Sequence, residues 1–215
     1  MAESLRHVFA MADATLFLLS PANCSGKRAA ILSRPDASFP LAEQFRARGA
    51  PIGEVFAFLS GLYFRGKLVY ARRFGSVEAD LPASLVITSN RGLVSPDAVI
   101  GPADLVSFTS VPIDLRETRY TAPMRESLLR LTTILSHDHR VVLLGSIATF
   151  KYVEILIDHL GERLLVPERF LGMGDMQRGA LMLRSAEAGE ELQYAGAEAA
   201  ILSRARSLRQ KSTPG

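Results

Sequence analysis

Thr15-Leu16-Phe17-Leu18-Leu19-Ser20-Pro21-Ala22-Asn23-Cys24-Ser25-Gly26-Lys27-Arg28 decides the fold class. An unbroken apolar run of strand length that gives way to small, polar and basic residues reads as a buried parallel strand feeding a loop. The pattern recurs twice. Ser84-Leu85-Val86-Ile87-Thr88 gives way to Ser89-Asn90-Arg91-Gly92. Arg140-Val141-Val142-Leu143-Leu144 gives way to Gly145-Ser146-Ile147-Ala148-Thr149, with Lys151 and Tyr152 just beyond. Helical patterns separate the three runs, so the chain is expected to be α/β, a mainly parallel central sheet flanked by helices. Ligands bind open sheets of this kind outside the carboxyl ends of the strands. The three loops are therefore the expected site, with Asn23, Asn90 and Ser146 converging at one edge of the sheet.

Outward from the strands, proline and glycine punctuate the helical segments. Residues 27–33 read as a short helical turn ended by Pro35. Pro40 suits the first turn of a helix carrying Leu41 and Phe45, and Gly49 suits its end. Residues 53–62 carry a broad apolar face of Val55, Phe56, Phe58, Leu59 and Leu62. Leu68, Val69, Ala71 and Phe74 follow at near-helical spacing, with Gly75 as a stop. Residues 92–112, rich in turn signals and poor in periodicity, read as a long loop over the site. Pro123 fits the first turn of a helix through Leu128, Leu129, Leu131 and Leu135. A helix is expected from about 149 to 160, a strand at 164–166, two more strands in an antiparallel arrangement at 180–184 and 191–194, and a closing helix at 197–208. No repeat or linker interrupts the chain. The expectation is one domain over 1–215, with a short N-terminal arm, a small antiparallel C-terminal addition and a basic C-terminal tail.

Composition narrows the class. Of 215 residues, 48% are hydrophobic, ample for a core, yet no apolar stretch approaches the roughly 18 residues that span a bilayer. Glu3, Arg6 and Asp13 interrupt any secretory-signal pattern at the N-terminus. A single cysteine, Cys24, permits no intrachain disulfide and suits a reducing compartment, so a soluble cytoplasmic protein without a membrane partner is expected. The net charge of +3 is concentrated: Arg204, Arg206, Arg209 and Lys211 lie in the last 13 residues with no acid, and removing these four from 25 cations leaves 21 against 22 acids. Such a tail can grip phosphates, or it can be a helix end whose cations complement the dipole.

Three constellations carry chemistry. Asn23 to Arg28 is a small-residue turn before a helical segment, where backbone N–H groups with Lys27 or Arg28 would cradle an anion. The Gly-x4-Gly-Lys spacing of a phosphate-binding P-loop is absent. Cys24 beside two cations has no identifiable base, which favours an inert thiol. At the third strand Ser146 or Thr149 would cap a helix, while Lys151 and Tyr152 would face an anion bound there. Gly172-Met173-Gly174-Asp175-Met176-Gln177-Arg178-Gly179 reads either as a loop whose backbone approaches a ligand, with Arg178 on phosphate, or as a turn in which Asp175 and Arg178 pair. His137-Asp138-His139 lacks further ligands and reads as a solvated turn rather than a metal site. No hydrolase elbow, zinc-protease or redox motif is present, and no cofactor is expected.

Ser20-Pro21-Ala22, the run from Ile87 through Gly92-Leu93, Pro96-Asp97 and Ile100 to Pro102, and Tyr63-Phe64-Arg65-Gly66 opening a helix together resemble the peroxide stress protein (YaaA-like) family. Asn23 stands where that family has a lysine, Arg91 where an aromatic precedes the glycine, and Ala103 where a tyrosine follows the proline. The resemblance spans about residues 15–160. It implies an α/β fold with an electropositive cleft, association with DNA and protection against oxidative stress.

Two functional expectations follow. The first is binding of a phosphate-bearing ligand, nucleic acid above all, with Lys27, Arg28, Arg91, Lys151 and Arg178 supplying charge and Ser20, Asn23, Ser89, Asn90 and Ser146 supplying directional hydrogen bonds. The alternative is an enzyme acting on a nucleotide, nucleoside or nucleobase in the same cleft, with Asp175 or Glu54 as acid or base and Tyr63 orienting the ligand.

Overall fold

The computed structural model describes residues 14–76, 81–146 and 152–202. Strand β1 (Thr15–Leu19) is buried at all five positions, as an unbroken apolar run requires of a central strand. Helices α1 (Lys27–Leu32), α2 (Pro40–Arg48), α3 (Ile52–Ser60) and α4 (Leu62–Phe74) follow, with the two-residue strand β2 (Ala50–Pro51) before α3. Pro40 opens α2, Gly49 closes it and Gly75 ends α4. Strand β3 (Ser84–Ile87) is followed by short β4 (Leu93–Val94), short β5 (Val99–Ile100) and helix α5 (Pro102–Ser110). Helix α6 (Thr118–Ile134), strand β6 (Arg140–Leu144), helix α7 (Val153–Leu160), strand β7 (Leu164–Pro167), helix α8 (Asp175–Ala188) and strand β8 (Tyr194–Gly196) complete the order. Residues 197–202 are helical.

The six-stranded sheet runs β4-β3-β1-β6-β7-β8, and β2 pairs with β5 in a separate antiparallel ribbon. β1 is parallel to both β3 and β6, and β6 is parallel to β7, whereas the edge strands β4 and β8 are antiparallel. This is the expected α/β sheet with its antiparallel C-terminal addition. From β1 the chain adds β3 on one side, then crosses back to place β6 on the other. The carboxyl ends of β1 and β6 therefore flank a topological switch point, where a crevice forms.

Alternation along β1 divides the core. Phe17 and Leu19 pack with α1 to α5 and α8, while Leu16 and Leu18 pack with α6, α7 and the residues at 197–200. On the first face α4 and α8 approach to backbone contact. A Cβ on Gly66 would sit 2.6 Å from the Gly179 carbonyl oxygen, and one on Gly179 would sit 2.7 Å from the Leu62 carbonyl oxygen. Gly179 thus serves a helix crossing, not a loop around a ligand.

Four expectations are corrected. Residues 180–184 are helical because they continue α8; their apolar run is too short to distinguish strand from buried helix by periodicity. Residues 92–112 are not a long loop: Pro102 at the first turn and the Asp104 carboxylate accepting from the Gly101 N–H at 2.7 Å start α5. Helix α6 begins at Thr118, with Glu117 capping the Arg119 N–H, so Pro123 lies inside it rather than at its start. The strand expected at 191–194 begins only at Tyr194. Among the described residues no helix is long and apolar enough to cross a membrane.

Candidate functional site

A cleft of about 540 Å³ opens at the switch point. Its floor and near wall are Ser20 to Ser25 at the end of β1, its far wall is Phe108, Thr109 and the segment from Val111 to Asp114, and Phe56, Ser89 and Tyr152 complete it. Of the residues expected at the site, Ser20, Asn23, Ser89 and Tyr152 are brought together there.

Each is fixed by identifiable contacts. The Asn23 Oδ1 accepts from the Ser25 N–H at 2.9 Å and the Ser25 hydroxyl at 2.8 Å, an Asx turn that leaves Nδ2 exposed. Ser89 donates to the Phe108 carbonyl at 2.8 Å and so ties α5 to the end of β3. Tyr152 donates to the Ser146 carbonyl at 3.0 Å. Burial raises the Tyr152 phenol, and its contact with the Ser20 side chain partly offsets that rise. Gly145 permits this convergence, because a Cβ there would lie 2.9 Å from the Ser20 Cβ and 3.0 Å from the Tyr152 hydroxyl. Cys24 also lines the cleft, but burial pushes its thiol up to about 12, which removes it as a thiolate nucleophile.

The other expected residues are elsewhere. Arg28 turns away, donating to the Phe58 carbonyl at 3.1 Å at the end of α3. Lys27 is exposed on α1, outside the cleft lining. Asn90 donates to Ser107 at 2.5 Å, with its Oδ1 buried and unpartnered. Arg91 pairs with Asp104. Ser146 is outside the described lining and gives its carbonyl to the Tyr152 hydroxyl. Asp175 and Arg178 stand in the first turn of α8, 3.4 Å apart; Arg178 is only 5% exposed and donates twice to the Phe170 carbonyl, at 3.2 and 3.3 Å. Glu54 is exposed on α3. Lys151 and the four tail cations lie outside the described residues. Residues 137–138 form the expected turn, with His137 and Asp138 paired at 2.9 Å, and among the described residues no cluster of three metal-ligating side chains exists.

Sequence reasoning missed Lys67. This residue of α4 is 1% exposed, and its Nζ donates to the Ser20 hydroxyl at 2.7 Å and the Ser20 carbonyl at 3.0 Å. The same nitrogen lies 3.9 Å from the centre of the Tyr63 ring. Among the described residues no carboxylate forms an ion pair with it. Burial therefore dominates and lowers the ammonium to about 7, with Asp175 opposing the fall and Arg178 adding to it. Tyr63, one helical turn before Lys67, is raised to about 12 by burial, which Arg178 partly counters, and its hydroxyl is buried without a hydrogen-bond partner. The available signal was helical spacing: Tyr63, Lys67, Tyr70 and Ala71 share the inward stripe of α4.

No protein family, curated protein or solved structure matches this chain.

Proposed function

We propose that the cleft binds a nucleoside or nucleobase-like ligand, held by a flat apolar face and a neutral polar edge. The observation that carries this reading is the lining itself. Phe56, Phe108, Pro112 and Ile113 supply apolar surface, and Ser20, Asn23, Ser25, Ser89, Thr109 and Tyr152 supply hydroxyls and an amide. The one charged residue among the lining residues described is Asp114, whose carboxylate accepts twice from the Arg116 guanidinium at 3.1 Å, so the described lining offers no cation to a phosphate. Arg28, Arg91 and Arg178, expected to supply positive charge, are engaged with protein oxygens instead. A volume near 540 Å³ falls within the roughly 300–1,000 Å³ of small-molecule sites.

Thermal-shift and calorimetric titrations with a set of nucleosides, their monophosphates and a DNA duplex test the reading. A nucleoside should stabilise the protein, and its monophosphate should do no better. Asn23→Asp keeps the Oδ1 acceptor of the turn but replaces the exposed amide donor, so it should weaken binding roughly tenfold without lowering the melting temperature. Duplex binding with a steep salt dependence and no response to nucleosides would overturn the reading in favour of the DNA association that the family resemblance implies.

A further inference from the structure

Ser20 is the one serine of the cleft whose hydroxyl is held from below by a buried amine. Lys67 reaches it from α4 at 2.7 Å, and the Tyr152 hydroxyl meets it from the start of α7. The groups facing Lys67 account for both of its protonation states. As an ammonium it has three N–H bonds for three acceptors: the Ser20 hydroxyl, the Ser20 carbonyl and the face of Tyr63. As a neutral amine it keeps two N–H bonds and gains a lone pair, which accepts the Ser20 hydroxyl proton along the same 2.7 Å line. No carboxylate ion-pairs with it among the described residues; from α8, Asp175 favours the ammonium and Arg178 opposes it. A structural lysine needs none of this, and burying an amine against a hydroxyl costs free energy that an apolar side chain would not. Ser20 lines the cleft and is 5% exposed.

We propose that Ser20 is a nucleophile for acyl transfer and Lys67 the base that activates it, the cleft taking a small ester or amide whose carbonyl carbon reaches the end of β1. Neutral Lys67 takes the Ser20 hydroxyl proton as Oγ bonds to the carbonyl carbon, and the carbonyl π pair moves to its oxygen. When that pair returns, the bond to the leaving group breaks, and the leaving alcohol or amine takes the proton from Lys67. Water then attacks the Ser20 ester, giving a proton to Lys67 that returns to Oγ as the acid departs. Lysine suits the task because burial makes its amine available near neutral pH.

The proposal shares with the nucleoside reading only the premise that the cleft admits a small molecule. Its test uses a fluorophosphonate probe, which forms an O–P bond to an activated serine and releases fluoride. The intact protein should gain one adduct, mapped by peptide mass spectrometry to Ser20 and absent in Ser20→Ala. Lys67→Met should slow labelling on the order of a hundredfold. With the native protein the rate should climb about tenfold per pH unit below about 7 and level above it, a profile that decides the matter even if Lys67→Met does not fold. No adduct, an adduct on another residue, or a rate flat across this range would overturn the proposal. A nucleoside that fails to bind while Ser20 labels as described would overturn only the preceding reading.

Discussion

The two faces of the sheet bury polar groups in opposite ways. On the face covered by α6 and α7 the buried polar side chains of the helices are short hydroxyls that bond back to their own helix, Thr121 to the Glu117 carbonyl at 3.2 Å and Ser127 to the Pro123 carbonyl at 2.8 Å. The Ser127 oxygen also accepts the Leu93 N–H of β4 at 3.2 Å. On the α4–α8 face the buried polar groups are long and reach across elements. Lys67 joins α4 to β1, Arg178 joins α8 to the segment after β7, and Tyr70 bonds to Tyr194 at 2.7 Å while accepting from the Leu192 N–H at 2.8 Å. Such short hydroxyls cost little to satisfy and act close to their own helix, the tie of Ser127 to β4 apart. Cross-element satisfaction fixes where α4 sits against β1, and so where Lys67 meets Ser20. The first arrangement stabilises the sheet; the second also sets the Lys67–Ser20 contact.

Within the α4–α8 face the two buried cations differ as well, and titration should separate them most strongly. The folded pKa of Lys67 is lowered to about 7 from 10.5. Between these values the unfolded chain carries one more proton than the folded one, so stability rises with pH through this window and is flat below it. The slope contributed is about 1.4 kcal/mol per pH unit, several kcal/mol across the window. Cys24 and the buried tyrosines, raised in the folded state, act with the opposite sign above about pH 9 and pH 10, which confines a clean reading to pH 7–9. Denaturant titrations of the native protein and Lys67→Met should show the native protein gaining stability relative to the variant by about 1.4 kcal/mol per pH unit as pH rises from 7 to 9. A constant difference would mean that Lys67 keeps an ordinary pKa and would erase the contrast.

Arg178 should behave as a structural cation of smaller effect. Its guanidinium donates twice to the Phe170 carbonyl, which also accepts from the Met173 N–H, and half-satisfies exposed Asp175, so Arg178→Met removes two charge-assisted bonds from that buried carbonyl. The expected loss is about 2–3 kcal/mol, read from chemical denaturation. Because Arg178 also helps to depress Lys67, the same variant should move the Lys67 midpoint upward. Unchanged stability with loss of nucleoside binding would return Arg178 to the ligand role expected from sequence.

How much of this was legible depended on the range of the physics involved. β1, β3 and β6 were plain because a strand buried on both faces must be apolar throughout, and this placed Ser20, Asn23, Ser89 and Tyr152 at one sheet edge. Cation placement was not plain. Arg28, Arg91 and Arg178 read as ligand charges beside their loops, yet each is long enough to reach a carbonyl or carboxylate of another element, and only the fold selects which. Lys67 was overlooked for the converse reason: with Arg65, Arg72 and Arg73 nearby it resembles a solvated helix face, while its spacing from Tyr63 and Tyr70 puts it on the buried one. Gly179 was misread because a glycine in a close helix crossing and a glycine in a ligand loop look alike in sequence. Only the partner at Gly66 tells them apart.

Arg91 provides the smallest effect and the sharpest check on the loop cations. It sits at the end of β3, as a phosphate ligand would, but its guanidinium pairs with Asp104, and both side chains are partly exposed, at 45% and 25%. Exposed pairs contribute roughly 0–1 kcal/mol. Asp104 does a second job, accepting the Gly101 N–H at the start of α5, the helix that carries Phe108 to the cleft. Arg91→Gln should therefore cost well under about 1 kcal/mol and leave nucleoside binding intact. Asp104→Asn weakens the cap as well as the pair, so it should cost about 1 kcal/mol and loosen the Phe108 wall, weakening binding slightly. If Arg91→Gln instead abolished ligand binding at unchanged stability, the ion pair would be a resting contact that the ligand displaces. The edge of the sheet would then be the charged site that its sequence first described.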